Sequence, residues 1–204
     1  MQNKNTSTAH KHQNIDSSKH KWIIAITVML IAILEILDST IVNVALPDMQ
    51  ASLGANTDQI IWVITSYVVA SAIMIPLTGF LTQRIGVKKL LIICISGFLT
   101  TSALCGASNN LIEMVVLRIL QGAFGATLIP ISQTVMRMTF PPEEQGKAMA
   151  IWGMGIMIAP VLGPTLGGYI TSNMNWRWIF YINVPVCMIG LILTSKYIKQ
   201  TPTN

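Results

Sequence analysis

Apolar residues in this chain fall in long runs rather than stripes, and the polar residues collect in short stretches between them. Runs of roughly 18 or more apolar residues are what a helix needs to cross the hydrocarbon of a bilayer. Six spans are predicted, at about Trp22–Leu46, Gln59–Leu81, Leu90–Ala107, Leu111–Val135, Ala148–Ile170 and Trp178–Ser195. No segment alternates with the two-residue period of a strand. The loops are short, which predicts that successive helices are antiparallel neighbours. The first 21 residues are polar, and the 25-residue apolar run that follows is too long for a signal-peptide core and has no small-residue cleavage site. The expected organisation is a disordered basic tail (1–21), an all-α bundle of six transmembrane helices (22–198) and a polar C-terminal end (199–204).

Composition supports the bilayer reading. Only 10% of the residues are charged, against about a quarter in ordinary globular chains, which leaves too little polar side chain to cover a water-facing surface. Cys94, Cys105 and Cys187 all lie in apolar runs and read as packing residues, not as a disulfide framework. His10, His12 and His20 belong to the polar tail and imply no fixed metal geometry, so neither a metal nor a cofactor is expected. Eleven of the thirteen Lys and Arg fall in the tail, the second and fourth loops and the C-terminal end. By the positive-inside rule both termini are cytoplasmic, and an even number of spans agrees. The net charge of +5 therefore anchors loops at a membrane and does not mark a nucleic-acid partner. No metal-ligand cluster, nucleophile–base pair or phosphate loop suggests an enzyme.

Three ionisable residues stand where hydrocarbon should exclude them. Glu35 and Asp38 lie deep in the first span, three residues apart and hence on one helical face, and Ser39 and Asn43 extend that polar stripe. Arg118 lies inside the fourth span, with Gln121 one turn further on. Each such charge costs several kcal/mol unless it meets a partner or a watery cavity, so each is a candidate functional residue. At 1.5 Å per residue, Asp38 lies roughly 12 Å and Arg118 roughly 10 Å below the ends of their helices on the same side of the membrane. If the first and fourth helices touch, these two can pair, either as a fixed structural bridge or as a pair whose separation changes proton affinity. Glu35 has no evident basic partner and is expected to face a cavity, sensing cations or carrying protons.

The fifth span contains GIMIAPVLGPTLGG (155–168). Gly155, Ala159, Gly163 and Gly167, each four apart, form a ridge with almost no side chain, which allows close approach of another helix. Pro160 and Pro164 each remove a helix hydrogen bond on a neighbouring face. Together they predict a helix that bends and moves against a neighbour.

With these features in order, the chain resembles the major facilitator superfamily, specifically the N-terminal half of a 14-helix drug:proton antiporter of the EmrB/QacA branch. LDSTIVNVALP (37–47) is similar to that branch's first-helix signature, and GFLTQRIGVKK (79–89) to the superfamily's cytoplasmic loop motif. RILQGAFGA (118–126) resembles the fourth-helix motif carrying an intramembrane arginine, GPTLGG (163–168) the antiporter motif, and NWRWIFYINVP (175–185) the start of the sixth helix. The resemblance implies proton-coupled efflux of hydrophobic, often cationic compounds by alternating access, powered by the proton gradient. Glu35, Asp38, Asn43, Arg118 and Gln121 would then carry protons and substrate. The loop residues Gly79, Gln83, Arg84, Gly86 and Lys88 would govern gating, together with the fifth-helix ridge, Pro160, Pro164 and Gly168.

In the loop, Gly79 and Gly86 are expected to permit the tight turn. Gln83 stands where the family usually has aspartate, which removes a charge from the loop. The implied partners are the lipid bilayer of a bacterial inner membrane, a small lipophilic substrate, and a second half of six to eight helices. A periplasmic adaptor and an outer-membrane channel are possible further partners. Because one half alone does not close a cavity, the expectation is a truncated transporter. The alternatives are a carrier for one metabolite or organic anion, and a membrane subunit without transport activity.

Overall fold

The computed structural model describes residues 20–198 and residue 200, and among them all regular structure is helical. Most of the basic tail and of the polar C-terminal end lies outside the described residues. Among the described residues six helices are long and apolar enough to span a bilayer: α1 Lys21–Leu53, α2 Thr57–Ile85, α3 Val87–Ala107, α4 Leu111–Thr139, α5 Pro142–Asn173 and α6 Trp178–Tyr197. Single turns interrupt α2 at Ile61, α4 at 126–127 and α6 at Ile182.

Helix ends explain why several spans outrun their apolar runs. α1 continues past Leu46 and Pro47 until Gly54, whose φ of +63° gives a left-handed cap with its N–H returned to the Gln50 carbonyl. Asn56 and Gln59 then open α2 with reciprocal side-chain-to-backbone bonds. Asn110 caps α4 by accepting from the Glu113 N–H. α5 begins six residues before Ala148, at Pro142, a residue suited to the first helical turn; Glu143 and Glu144 follow near the positive end of the helix dipole. Hydropathy marks only the stretch in hydrocarbon, whereas backbone bonding and caps carry each helix into the interface.

Spatial neighbours do not follow chain order. α1 makes its largest interface with α5 and also packs on α6 and the second half of α4. α2 packs chiefly on the first half of α4, and α3 lies between α4 and α6. Short loops constrain where chain ends meet, but close packing selects the partners. The fifth-helix ridge shows this. Gly155, Ala159, Gly163 and Gly167 are all buried. A methyl added at Gly155 would lie 2.5 Å from Met29 Sδ, one at Gly163 would overlap Thr40, and one at Gly167 would meet Val44 and Ile41. All four contacts are on α1. Pro160 and Pro164 lie exposed on the other side of α5, and the helix runs unbroken through both.

On the opposite flank Gly122 of α4 lets the α2 backbone approach, since a methyl there would lie 2.5 Å from the Tyr67 carbonyl oxygen. Apolar residues fill the bundle in two clusters. One includes Val28, Ala32, Leu91, Ile95 and Phe98; the other includes Ile41, Val42, Ile60, Val63, Met114 and Phe180. On α1 the first cluster ends at Leu34 and the second begins at Leu37, so Glu35 and Asp38 sit at the junction.

Backbone contact makes Gly122 the stiffest of these approaches. Gly122→Ala should lower the stability of the detergent-solubilised protein by about 1–3 kcal/mol, the usual cost of overpacking. Gly168→Ala, with nothing within 4 Å of the added methyl, should leave it unchanged or slightly raised. Thermal unfolding of the two variants checks the contrast.

Candidate functional site

Asp38 and Arg118 meet at the junction of the two apolar clusters. Arg118 Nη1 donates to Asp38 Oδ2 at 2.7 Å, and each residue is only 1% exposed. Two further donors reach the other carboxylate oxygen: Gln121 Nε2 at 3.2 Å and Asn183 Nδ2 at 2.6 Å. The guanidinium is held in turn. Its Nε donates to the Val63 carbonyl on α2 at 3.2 Å, and its Nη1 to Gln121 Oε1 at 2.9 Å. Its face lies over the Tyr67 ring, 4.1 Å from the centroid, and the Phe180 ring is 5.9 Å away. Asn183 continues the network to Ser102 Oγ at 3.0 Å, and Ser102 donates to the Phe180 carbonyl at 2.9 Å.

Five helices thus converge on one ion pair: α1 through Asp38, α2 through Val63 and Tyr67, α3 through Ser102, α4 through Arg118 and Gln121, and α6 through Asn183. Burying two charges costs several kcal/mol per ion, and only close geometry with additional hydrogen bonds offsets it. Aromatic faces over the guanidinium add electrostatic attraction in a desolvated site. Helix α5 contributes none of these bonds and holds to α1 by its small-residue ridge.

Glu35 does not face an open cavity here. It is 7% exposed and accepts a hydrogen bond from Tyr67 Oη at 2.9 Å, so the ring that covers Arg118 also holds Glu35. Asn43 stays apart from the cluster. It is exposed and donates to the Ser39 carbonyl of its own helix. Trp176, in the NWRWIFYINVP stretch, is buried at 4% exposure, whereas Trp178 is exposed. Between them Arg177 donates to the Gly106 carbonyl at 2.8 Å and to the Ser108 carbonyl, closing the C-terminal end of α3.

The loop residues divide. Gly86, with φ of +87°, makes the turn between α2 and α3, but Gly79 lies exposed within α2 and plays no part in it. Gln83 and Arg84 are exposed, and Arg84 lies 5.9 Å from the Phe80 ring centroid. Lys88 Nζ donates to the Ser195 carbonyl at 2.7 Å, a cation at the C-terminal end of α6. Gly168 is partly exposed beside the ridge. The three cysteines are buried and free. Among the described residues no His, Cys, Asp and Glu group has the makings of a metal site; His10 and His12 lie outside them.

The family model for the Major Facilitator Superfamily matches residues 28–204. The chain belongs to the Major Facilitator Superfamily. It is 46% identical over 182 residues to the fatty acid resistance protein FarB of Neisseria gonorrhoeae, covering 89% of this chain and 36% of that protein. It is 41% identical over 182 residues to the multidrug export protein EmrB of Escherichia coli, with the same coverage of 89% and 36%. The chain therefore spans about a third of the length of these curated relatives. The solved inward-open structure of the xylose transporter XylE from Escherichia coli shares the fold, with a TM-score of 0.77 at 17% identity over 89% of this chain and 48% of that one. The protein is a multi-pass membrane protein of a carrier superfamily, with six helices equivalent to half of a twelve-helix transporter.

Within that superfamily fold, sequence reasoning missed Asn183, Ser102 and Tyr67. An amide inside the sixth apolar run was a readable signal for Asn183. Ser102 carried none, since lone serines often bond their own helix.

Removal of one partner tests how strongly the pair is held. Asp38→Ala strands the Arg118 charge and should cost about 3–5 kcal/mol, while Asp38→Leu combined with Arg118→Met should recover most of that loss. Thermal unfolding in detergent reads the difference. Equal stability of the single variant and the parent would show that the pair contributes nothing.

Proposed function

We propose that the chain forms the N-terminal six-helix half of a proton-coupled efflux carrier that exports hydrophobic, often cationic compounds by alternating access. The observation that carries this reading is the buried Asp38–Arg118 pair, cross-bonded by Gln121 and Asn183 and linked through Tyr67 to Glu35. An intramembrane carboxylate that exchanges a proton changes the charge at the point where five helices meet, so proton binding and helix packing are tied together. Identity of 41% to a multidrug export protein supports the substrate class.

In this reading Asp38 and Glu35 carry protons and attract cations, Arg118 and Gln121 hold Asp38, and the proton gradient supplies the energy. The α1–α5 ridge is the surface along which helices slide, and Gly86 with Lys88 shapes the turn that closes one end. Gln83 contributes by packing rather than charge. Asn43, exposed on α1, faces the substrate path. Both termini lie in the cytoplasm of a bacterium, and the bundle spans its inner membrane. A second half of six to eight helices completes the cavity, and a periplasmic adaptor with an outer-membrane channel continues the route outward.

One observation favours a second substrate class. The relative FarB is named for fatty acid resistance, which makes an amphipathic organic anion a competing cargo. Growth assays separate the two readings. Bacteria expressing this half together with the second half that completes the cavity should gain several-fold tolerance to unrelated lipophilic cations, and Asp38→Asn should abolish it. Tolerance to long-chain fatty acids alone would favour the anion reading. Indifference to both classes would contradict efflux.

A further inference from the structure

We infer that Asn183 is the amide switch that reports the proton state of Asp38 to the α3–α6 contact. This rests on Asp38 being the proton site proposed above. The geometry around Asn183 is unusual in one respect. Its side chain is fully buried, Nδ2 makes two hydrogen bonds, and Oδ1 has no partner. Leaving a buried acceptor unpaired is costly, so something must hold the amide in this orientation.

The carboxylate does. Ionised Asp38 only accepts hydrogen bonds, so any amide 2.6 Å from Oδ1 must present nitrogen and not oxygen. A protonated Asp38 reverses that requirement. With a proton taken from water onto Oδ1, the carboxyl gains an O–H donor, and a half-turn of the amide brings Asn183 Oδ1 round to accept it. The half-turn also replaces Nδ2 beside Ser102 Oγ with an oxygen, so the 3.0 Å bond donated by α6 to α3 is lost, and the Ser102 hydroxyl must leave the Phe180 carbonyl if it is to bond the amide again. No covalent bond changes other than the new O–H.

Gln121 is barred from the same motion. Its Oε1 accepts from Arg118 Nη1 and from Cys105 Sγ, and turning its amide would aim NH₂ at the guanidinium. Asn183 is therefore the amide on Asp38 that is free to reverse without facing Arg118. The titratable groups around Asp38 are Glu35 on α1, Tyr67 on α2, Cys105 on α3, Arg118 on α4 and Cys187 on α6, and the buried face of α5 presents none. Among them only Arg118 bonds Asp38 directly.

Isotope-edited infrared spectroscopy of the full chain in lipid nanodiscs, with labelled asparagine, tests the switch. The Asn183 band is assigned by subtraction of Asn183→Ser or Asn183→Gln spectra, either of which suffices. Across a pH titration, the Asn183 C=O band should move to lower wavenumber as its oxygen gains a donor. It should do so with the same midpoint as the Asp38 carboxyl band, and the shift should persist in Glu35→Gln. An Asp38 band that titrates beside a silent Asn183 band overturns the switch and leaves the proton site standing. A shift that disappears in Glu35→Gln assigns the trigger elsewhere and also overturns it. An Asp38 band that never titrates removes the proton-site reading and the switch together.

Discussion

Everything in this bundle is arranged around the requirement that a charged guanidinium and a carboxylate inside a membrane must both be satisfied. Hydrocarbon offers neither water nor counter-ions, so Arg118 and Asp38 recruit donors, acceptors and aromatic faces from five helices. The two apolar clusters part at this level on α1. A change in charge here is therefore felt by five helices together.

Helix α5 obeys a different rule. It reaches α1 through Gly155, Ala159, Gly163 and Gly167, and contributes no side-chain hydrogen bond to the ion-pair network. The Met29, Thr40 and Val44 side chains of α1 rest on the nearly bare α5 backbone by van der Waals packing, without a directional hydrogen bond to hold one register. Pro160 and Pro164 face outward, where missing backbone bonds do not disturb the α1 contact. The half-bundle thus combines a polar clasp with a smooth interface, and both act on α1. In the proposed carrier, the clasp responds to protons and the smooth interface accommodates the resulting motion. The exposed apolar residues of α2 and α5, among them Val69, Ile73, Met157 and Val161, are the surfaces that lipid or a second half would cover.

Much of this was legible in the sequence because hydrocarbon imposes harsh rules. Six long apolar runs fix six helices, and two charges at matched depth on spans one and four imply a pair. The small-residue spacing of span five identified the ridge, though not that α1 was its partner. What escaped detection depended on three-dimensional packing. Glu35 looked unpartnered because a tyrosine hydroxyl in another span is not recognisable as its donor. Asn43 looked like part of the stripe because an (i, i+5) step on a helix seems close until the rotation is counted. Gly79 looked like a turn residue, but only Gly86 adopts positive φ. Helix order in space was missed for a similar reason, since loop length says which ends are near and not which faces mate.

Carbodiimide labelling read by mass spectrometry tests the central claim most directly, because the reagent attacks protonated carboxyl groups in apolar surroundings. If the pair is the proton-responsive centre of the bundle, Asp38 in membrane-embedded protein should react with a hydrophobic carbodiimide at low pH. That reaction should decline as pH rises and slow when a lipophilic cation is added. Failure of Asp38 to react at any pH, in protein whose buried Glu35 does react, would mark the pair as a permanent structural clasp and contradict the account.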